Sequence, residues 1–155
     1  MIEFIVAFTL ATLVHNVGEW ITHRYILHGL GKKKDSFFHY HWVHHHTCRK
    51  HANADVIYSQ GFASLDVVKE FGTLVLIAAS TVTWYYVWPM FFWCTLFWIM
   101  AYFVLHAVSH TNVEWGKKYM PWHHNHHMGR NQDLNWCVTF PLMDYIMGTR
   151  KKYNT

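Results

Sequence analysis

Between Phe71 and Val113 the chain runs 43 residues without an aspartate, glutamate, lysine or arginine. As one straight helix that stretch would be ~64 Å long, about twice the hydrocarbon thickness of a bilayer. It must double back, and Trp88-Pro89 near its middle supplies the turn. Spans over residues 71–88 and 90–110 follow. A third apolar segment opens the chain, where Phe4 to Gly18 carry no formal charge and the helical pattern continues toward His28. A helix from Ile2 to His28 would reach ~40 Å, enough to cross the hydrocarbon and protrude beyond it. We expect a span over residues 2–24, with His23 and His28 on its protruding end and Gly29 and Gly31 as its stop.

Composition supports lipid contact. Only 14% of residues are charged, against about 25% in soluble domains, and the nine tryptophans suit the membrane interface. Mean hydropathy near zero averages apolar spans with a very polar remainder. The net charge of +4 does not call for nucleic acid, because the basic residues flank apolar spans and obey the positive-inside rule. Lys32, Lys33 and Lys34 then mark the cytoplasmic side, placing the N-terminus outside and the C-terminus inside. No secretory signal is expected, since Glu3 rather than a basic segment precedes the first apolar run. Cys48, Cys94 and Cys137 are too scattered for a disulfide framework or a metal knuckle and read as free thiols. No GxGxxG, P-loop or acidic calcium loop is present, so nucleotide cofactors are not indicated. The expected fold is all-α: one membrane domain over residues 1–155, about three spans, and a cytoplasmic helical cap.

That cap carries the chemistry. Its histidine-rich segments are residues 28–51 and 110–150, and the chain's 15 histidines outnumber its 13 lysines and arginines. Ten of them fall into four spacings: HxxxxH at His23 and His28, HxxHH at His41, His44 and His45, HxxxH at His106 and His110, and HxxHH again at His123, His126 and His127. On a helix, His41, His44 and His45 lie near 0°, about 300° and about 40°, one stripe, whereas His46 falls off it. His106 and His110 are one turn apart. Neutral imidazole is the commonest nitrogen ligand for transition metals, and faces of this kind can converge on two metals with roughly five nitrogens each. His15, His39, His46, His51 and His124 stand outside the pattern and read as ordinary hydrogen-bonded residues. Glu19, Asp35, Asp133 and Asp144 are candidates to hydrogen-bond the outer ring nitrogens of the ligands. Asn131 and Asn135 could do the same or hold a water. Of these, Glu19, Asp133 and Asn135 are the candidate catalytic residues.

The succession HRYILH, HYHWVHHH, HAVSH, HHNHH, then Asn131-Gln132-Asp133-Leu134-Asn135-Trp136, Thr139-Phe140-Pro141-Leu142-Met143-Asp144 and Gly148-Thr149, resembles the fatty acid hydroxylase/sterol desaturase superfamily. The likeness runs from Glu19 to Thr149. It implies a membrane diiron oxygenase using O2, with His23, His28, His41, His44, His45, His106, His110, His123, His126 and His127 as ligands of two iron ions. Zinc can displace ferrous iron in purified material. Some members carry a fused cytochrome b5 domain that is missing here, so electrons are expected from a separate donor such as cytochrome b5 or a ferredoxin with its reductase. Beta-carotene hydroxylases are of similar size, but the Asn-Gln-Asp-Leu-Asn-Trp segment looks more like the fatty acid and sterol branch. The implied activity is hydroxylation of a fatty acyl chain, sphingolipid or sterol. Desaturation or carotenoid hydroxylation would use the same chemistry, and a non-catalytic membrane zinc or copper protein is the alternative of another class.

Topology gives a direct test. A reporter fused after Thr155 is expected in the cytoplasm, and tags at Met1 or Pro89 on the far side. A cytoplasmic tag at Pro89 would sink the three-span arrangement.

Overall fold

The computed structural model describes residues 1–52 and 54–153; Thr155, where the reporter would be fused, lies outside them. Among these residues every regular element is helical. Helix α1 covers Ile2–Ile21 and continues as a π-helical stretch, Thr22–Leu27. Short 3₁₀ turns at Leu30–Lys32 and Phe37–His39 lead into α2, Tyr40–Lys50. After another 3₁₀ segment, Tyr58–Ala63, come α3 at Leu65–Ser80, α4 at Thr83–Val87 and α5 at Pro89–Thr111. Three shorter helices complete the chain: α6 at Val113–Tyr119, α7 at Pro121–Met128 and α8 at Leu142–Ile146.

The π-helical stretch corrects the expectation of a plain helix to His28. Five residues apart on an α-helix, two side chains diverge by about 140°. Here the His28 amide donates to the His23 carbonyl five residues back, at 2.9 Å. The wider turn brings both imidazoles to one side, with ring centroids 5.2 Å apart.

Helix α1 packs along α5 through small residues. Ala7 and Ala11, 0% and 1% exposed, meet Phe91 and Cys94. Small side chains four residues apart let the backbones approach, the usual device where no hydrophobic drive separates helix from lipid. Trp98 Nε1 donates to Thr12 Oγ1 at 2.9 Å, and Trp88 Nε1 to Glu3 Oε1 at 3.2 Å. Helix α6 folds back tightly on the end of α5, where a Cβ on Gly116 would stand 2.8 Å from the Ser109 carbonyl oxygen. Pro89 and Pro121 open α5 and α7, positions where a missing amide hydrogen costs nothing.

The expected span over residues 71–88 is broken. Helix α3 begins at Leu65, ahead of the charge-free run, and stops at Ser80. Its 16 residues reach only ~24 Å. Ser80 Oγ donates to the Ile77 carbonyl at 2.6 Å and Thr81 Oγ1 to the Ala78 carbonyl at 2.7 Å. Those bonds compete with the helical ladder at its end. The reversal is therefore made in two steps, at Thr81-Val82 and again at Trp88, with α4 between them. Among the described residues, two helical stretches, Ile2–Lys32 and Pro89–Thr111, are long and apolar enough to cross a membrane.

Polarity is inverted relative to a water-soluble domain. The largest fully buried side chains are histidines, beginning with His28, His41 and His44, whereas Leu10, Val14, Leu76, Trp93 and Phe97 face outward. Only 28% of the most apolar window of either long helix is buried; the core helix of a soluble protein would be mostly covered. The α1–α5 contact can be tested by overpacking it. Ala11→Leu should destabilise the protein by about 1–3 kcal/mol, read as a lower unfolding temperature in detergent, while Leu10→Ala on the exposed face should leave it nearly unchanged.

Candidate metal centre

The four histidine motifs sit at the ends of four elements that converge below α1 and α5. His23 and His28 come from the π-helical stretch, His41, His44 and His45 from α2, His106 and His110 from α5, and His123, His126 and His127 from α7. Nine of the ten gather into two groups, within each of which the candidate ligand atoms lie within 4.8 Å of one another. The first holds His23, His28, His41, His45 and His126; the second holds His106, His110, His123 and His127. The groups are not the two halves of the sequence. His126 crosses over to the first, and its neighbour His127 joins the second. The rings of His45 and His127 stack across the boundary, 4.2 Å apart.

In the first group, Nε2 atoms face one another: His23 to His41 at 3.0 Å, His41 to His45 at 3.0 Å, His28 to His45 at 3.1 Å, and His126 to His28 and His45 at 3.2 and 3.0 Å. In the second, His110 Nε2 lies 3.3 Å from that of His106 and 3.0 Å from that of His123. Ligand nitrogens bound ~2.1 Å from a shared metal stand about 3 Å apart when they subtend a right angle. His127 has neither ring nitrogen satisfied, and His44 Nε2 and His123 Nδ1 are also buried without a partner. Unsatisfied buried imidazoles of this kind fit a metal that supplies the missing bonds.

Outward nitrogens set the tautomers. His28 Nδ1–H donates to Asp133 Oδ1 at 3.0 Å, His126 Nδ1–H to the Leu134 carbonyl at 2.7 Å, and His23 Nδ1–H to the Trp136 carbonyl. The Gln132 amide lies 2.6 Å from His45 Nδ1. In the second group His106 Nδ1–H donates to Glu70 Oε1 at 2.7 Å, and Cys48 Sγ lies 3.2 Å from His110 Nδ1. Where the proton is held on Nδ1, as in His23, His28, His106 and His126, the Nε2 lone pair points inward for coordination. Burial, followed by repulsion from neighbouring imidazoles, holds His41, His45 and His127 well below the ordinary histidine pKa of 6.5. Burial, with repulsion from His106 and His28 respectively, does the same for His123 and His126. Neutral imidazoles are ready to bind a metal without first releasing a proton.

His44 is placed differently. It lies outside both groups, beside the second, with Nδ1 2.6 Å from Asp55 Oδ2 and Nε2 4.0 Å from Glu70 Oε2. Burial lowers its pKa, but the Asp55 hydrogen bond and the Glu70 charge outweigh that and raise it. Asp55 and Glu70 are 1% and 3% exposed, and taking a carboxylate out of water costs several kcal/mol unless a positive charge accompanies it.

Of the three candidate catalytic residues, Asp133 reaches a ligand. Its carboxylate joins His28 to Lys32, whose Nζ lies 3.0 Å from both oxygens. Glu19 instead accepts from the Thr139 amide at 3.1 Å and the Thr139 hydroxyl at 2.8 Å, tying α1 to the C-terminal segment. Asn135 adopts φ +58, which asparagine tolerates, and its Oδ1 accepts from Arg150 and the Lys151 amide. Asp144 holds the Trp136 and Cys137 amides, Asn131 caps the Asp133 amide, and Asp35 is exposed. The five histidines outside the spacings lie outside the groups too: His15 stacks on Trp98, His39 bonds the Gly31 carbonyl, His46 and His51 are exposed, and His124 is buried apart. Sequence reasoning missed Asp55, Glu70, Tyr58, Cys48 and Gln132. Glu70 gave a signal, an acidic residue directly abutting a charge-free run; Asp55 gave none.

Ligands and bystanders should separate cleanly. His110→Ala and His126→Ala are each expected to lower metal content and abolish activity, with His51→Ala near wild type in both. Asp133→Asn is expected to keep most of the metal but lower turnover per bound metal by roughly 10–100-fold. A wild-type value for that variant would remove Asp133 from the site.

A model of the family described as fatty acid hydroxylase matches residues 8–149. No curated protein and no solved structure matches the chain significantly. The matched range contains all ten spaced histidines, the Gln132–Trp136 segment that contacts four of them, all of α5 and α1 from Phe8 onward. The chain belongs to the fatty acid hydroxylase family.

Proposed function

We propose that this protein is a membrane-bound diiron monooxygenase that hydroxylates the hydrocarbon part of a lipid. Hydroxylation or desaturation of lipid is the activity the family suggests, and the histidine groups are consistent with a metal-dependent member. The observation that carries the finer reading is a cavity of about 220 Å³ between α1, α3 and α5. Its walls are largely apolar, with Val14, Ile77 and Ile99 among them, and they run to His23 and Glu70. One end is thus made of residues that face lipid-crossing helices, and the other touches a histidine of the first group and a carboxylate of the second.

Side chains cannot break an unactivated C–H bond, so the iron pair, when bound, supplies the oxygen chemistry. Five histidines of the first group would hold one ion. His106, His110, His123 and His127 would hold the other, with His44 beside them. The protein's own part is to position a methylene at the His23 end and to keep bulk water out with apolar walls. Tyr40 and Tyr102 line the same end, and the Tyr40 hydroxyl donates to Thr73 Oγ1 at 3.3 Å. That bond ties α2 to α3 across the cavity and keeps the polar end narrow. Electrons come from a separate donor, a cytochrome b5 or a ferredoxin with its reductase, reaching the site from the cytoplasmic side marked by Lys32 to Lys34.

Lipid mass spectrometry of a host with and without the gene tests the reading. A lipid gaining one oxygen, absent when His110→Ala is expressed instead, is the expected result. Loss of two hydrogens would make the enzyme a desaturase, and no lipid change with a tightly held metal would favour a non-catalytic metal protein. Gly18 tests the cavity itself, since it lines the wall and a Cβ there meets nothing within 4 Å. Gly18→Leu should leave the fold and metal intact, because leucine also favours a helix. It should lower turnover of long chains by about tenfold or more, the size of effect that one methylene of misfit has in a hydrophobic pocket, ~1–3 kcal/mol.

A further inference from the structure

The two histidine groups are served by outer partners of opposite kind. Four of the five imidazoles of the first group, His45, His28, His126 and His23, take their outer contacts from Gln132, Asp133, Leu134 and Trp136. These four lie within five consecutive residues of a strap that forms no helix. Two of the contacts are backbone carbonyls and one is an amide. The single carboxylate among them, on Asp133, is half exposed and already paired with Lys32. The C-terminal end of the strap is pinned, because Asp144 holds the amides of Trp136 and Cys137 at 2.8 and 2.9 Å. Its Gln132–Leu134 end lies at the surface.

Around the second group the partners are buried and anionic. Glu70 bonds His106 and Tyr58, and Asp55 bonds His44. Among the described residues neither carboxylate is within ion-pair distance of a lysine or arginine. Two buried carboxylates with no lysine or arginine in reach favour a nearby cation, and a divalent metal on the second group would provide one. The first group, five neutral imidazoles beside a carboxylate neutralised by Lys32, has no such demand.

From this we infer that the two metal sites are unequal: the second group, charge-matched by Glu70 and Asp55, holds its ion more tightly than the first, whose retention depends on the surface strap from Gln132 to Trp136. The strap is then a positioning element for the first site alone. Gln132 is the member to test, since its amide touches the His45 ring of the first group, while its other bond, at 3.0 Å, goes to the backbone carbonyl of His127 and not to that ring. The inference rests on the two-metal reading above.

The full chain, purified in detergent and loaded anaerobically with ferrous iron, is challenged with a colorimetric ferrous chelator while release is followed in time. Two ions per chain leaving in two phases of equal amplitude are expected. Gln132→Ala should speed the fast phase by about tenfold and leave the slow one alone, whereas Glu70→Gln should speed only the slow phase by a similar factor. If Glu70→Gln fails to fold by circular dichroism, Asp55→Asn serves in its place. Two ions leaving in one phase, or Gln132→Ala acting on the slow phase, would overturn the inequality. A single ion per wild-type chain would instead overturn the two-metal reading itself.

Discussion

Much of this fold answers to one requirement, the burial of nine grouped imidazoles, several of them with Nε2 turned toward the others. Neutral imidazole has one donor and one acceptor, so inward Nε2 requires an outward acceptor for Nδ1–H. That acceptor is found in the Asp133 carboxylate, the Leu134 and Trp136 carbonyls and Glu70. Without them the same rings could turn over, offer N–H to one another and close the site to metal. The short helices and irregular segments of the cap are best understood as holders of those acceptors. Several of them come from stretches with no regular structure of their own.

Membrane embedding follows from the same requirement. A chain of this length that spends its interior on histidine and carboxylate has little buried apolar surface left to drive folding in water. Its apolar residues lie instead on the outside of α1, α3 and α5, where lipid covers them. The two long helices then need contacts other than hydrophobic burial to associate, and Ala7, Ala11 and the Trp98–Thr12 bond supply them. The cavity lies where this lipid-facing architecture gives way to the histidine cap. Its lining joins apolar residues such as Val14, Ile77 and Ile99 to His23 of the first group and to Glu70, which bonds His106.

The interleaving of the groups has a consequence for assembly. His126 and His127 are adjacent on α7 but belong to different groups, and of the neighbours His44 and His45 on α2 only His45 joins one. The first group draws on both halves of the chain, the second on the C-terminal half alone. Metal held by both groups would tie the π-helical stretch, α2, α5 and α7 together, and its binding free energy would add to the stability of the fold.

How much of this was legible in the residues depends on whether the signal is local. The spacings picked out the histidines of α2, α5 and α7, because i, i+3 and i+4 on a helix share a face whatever surrounds it, and they set apart His15, His39, His46, His51 and His124, which lie outside both groups. Uncharged runs marked the two long apolar helices, because lipid tolerates few charges at any point in a span. Pairing across the chain was decided only in three dimensions. That His23 and His28 meet needed a π-turn, since their spacing on an α-helix points them apart. The partners of the ligands, Asp55, Glu70 and Gln132, are brought in by loops and helix ends whose path no local pattern encodes. The division of the ligands into two groups likewise depends on how α2 and α7 cross, a matter of packing between elements far apart in sequence. Residue type and spacing determined which side chains are suited to bind metal; the tertiary structure decided which of them gather, because only the crossing of helices fixes which ring nitrogens face the same place.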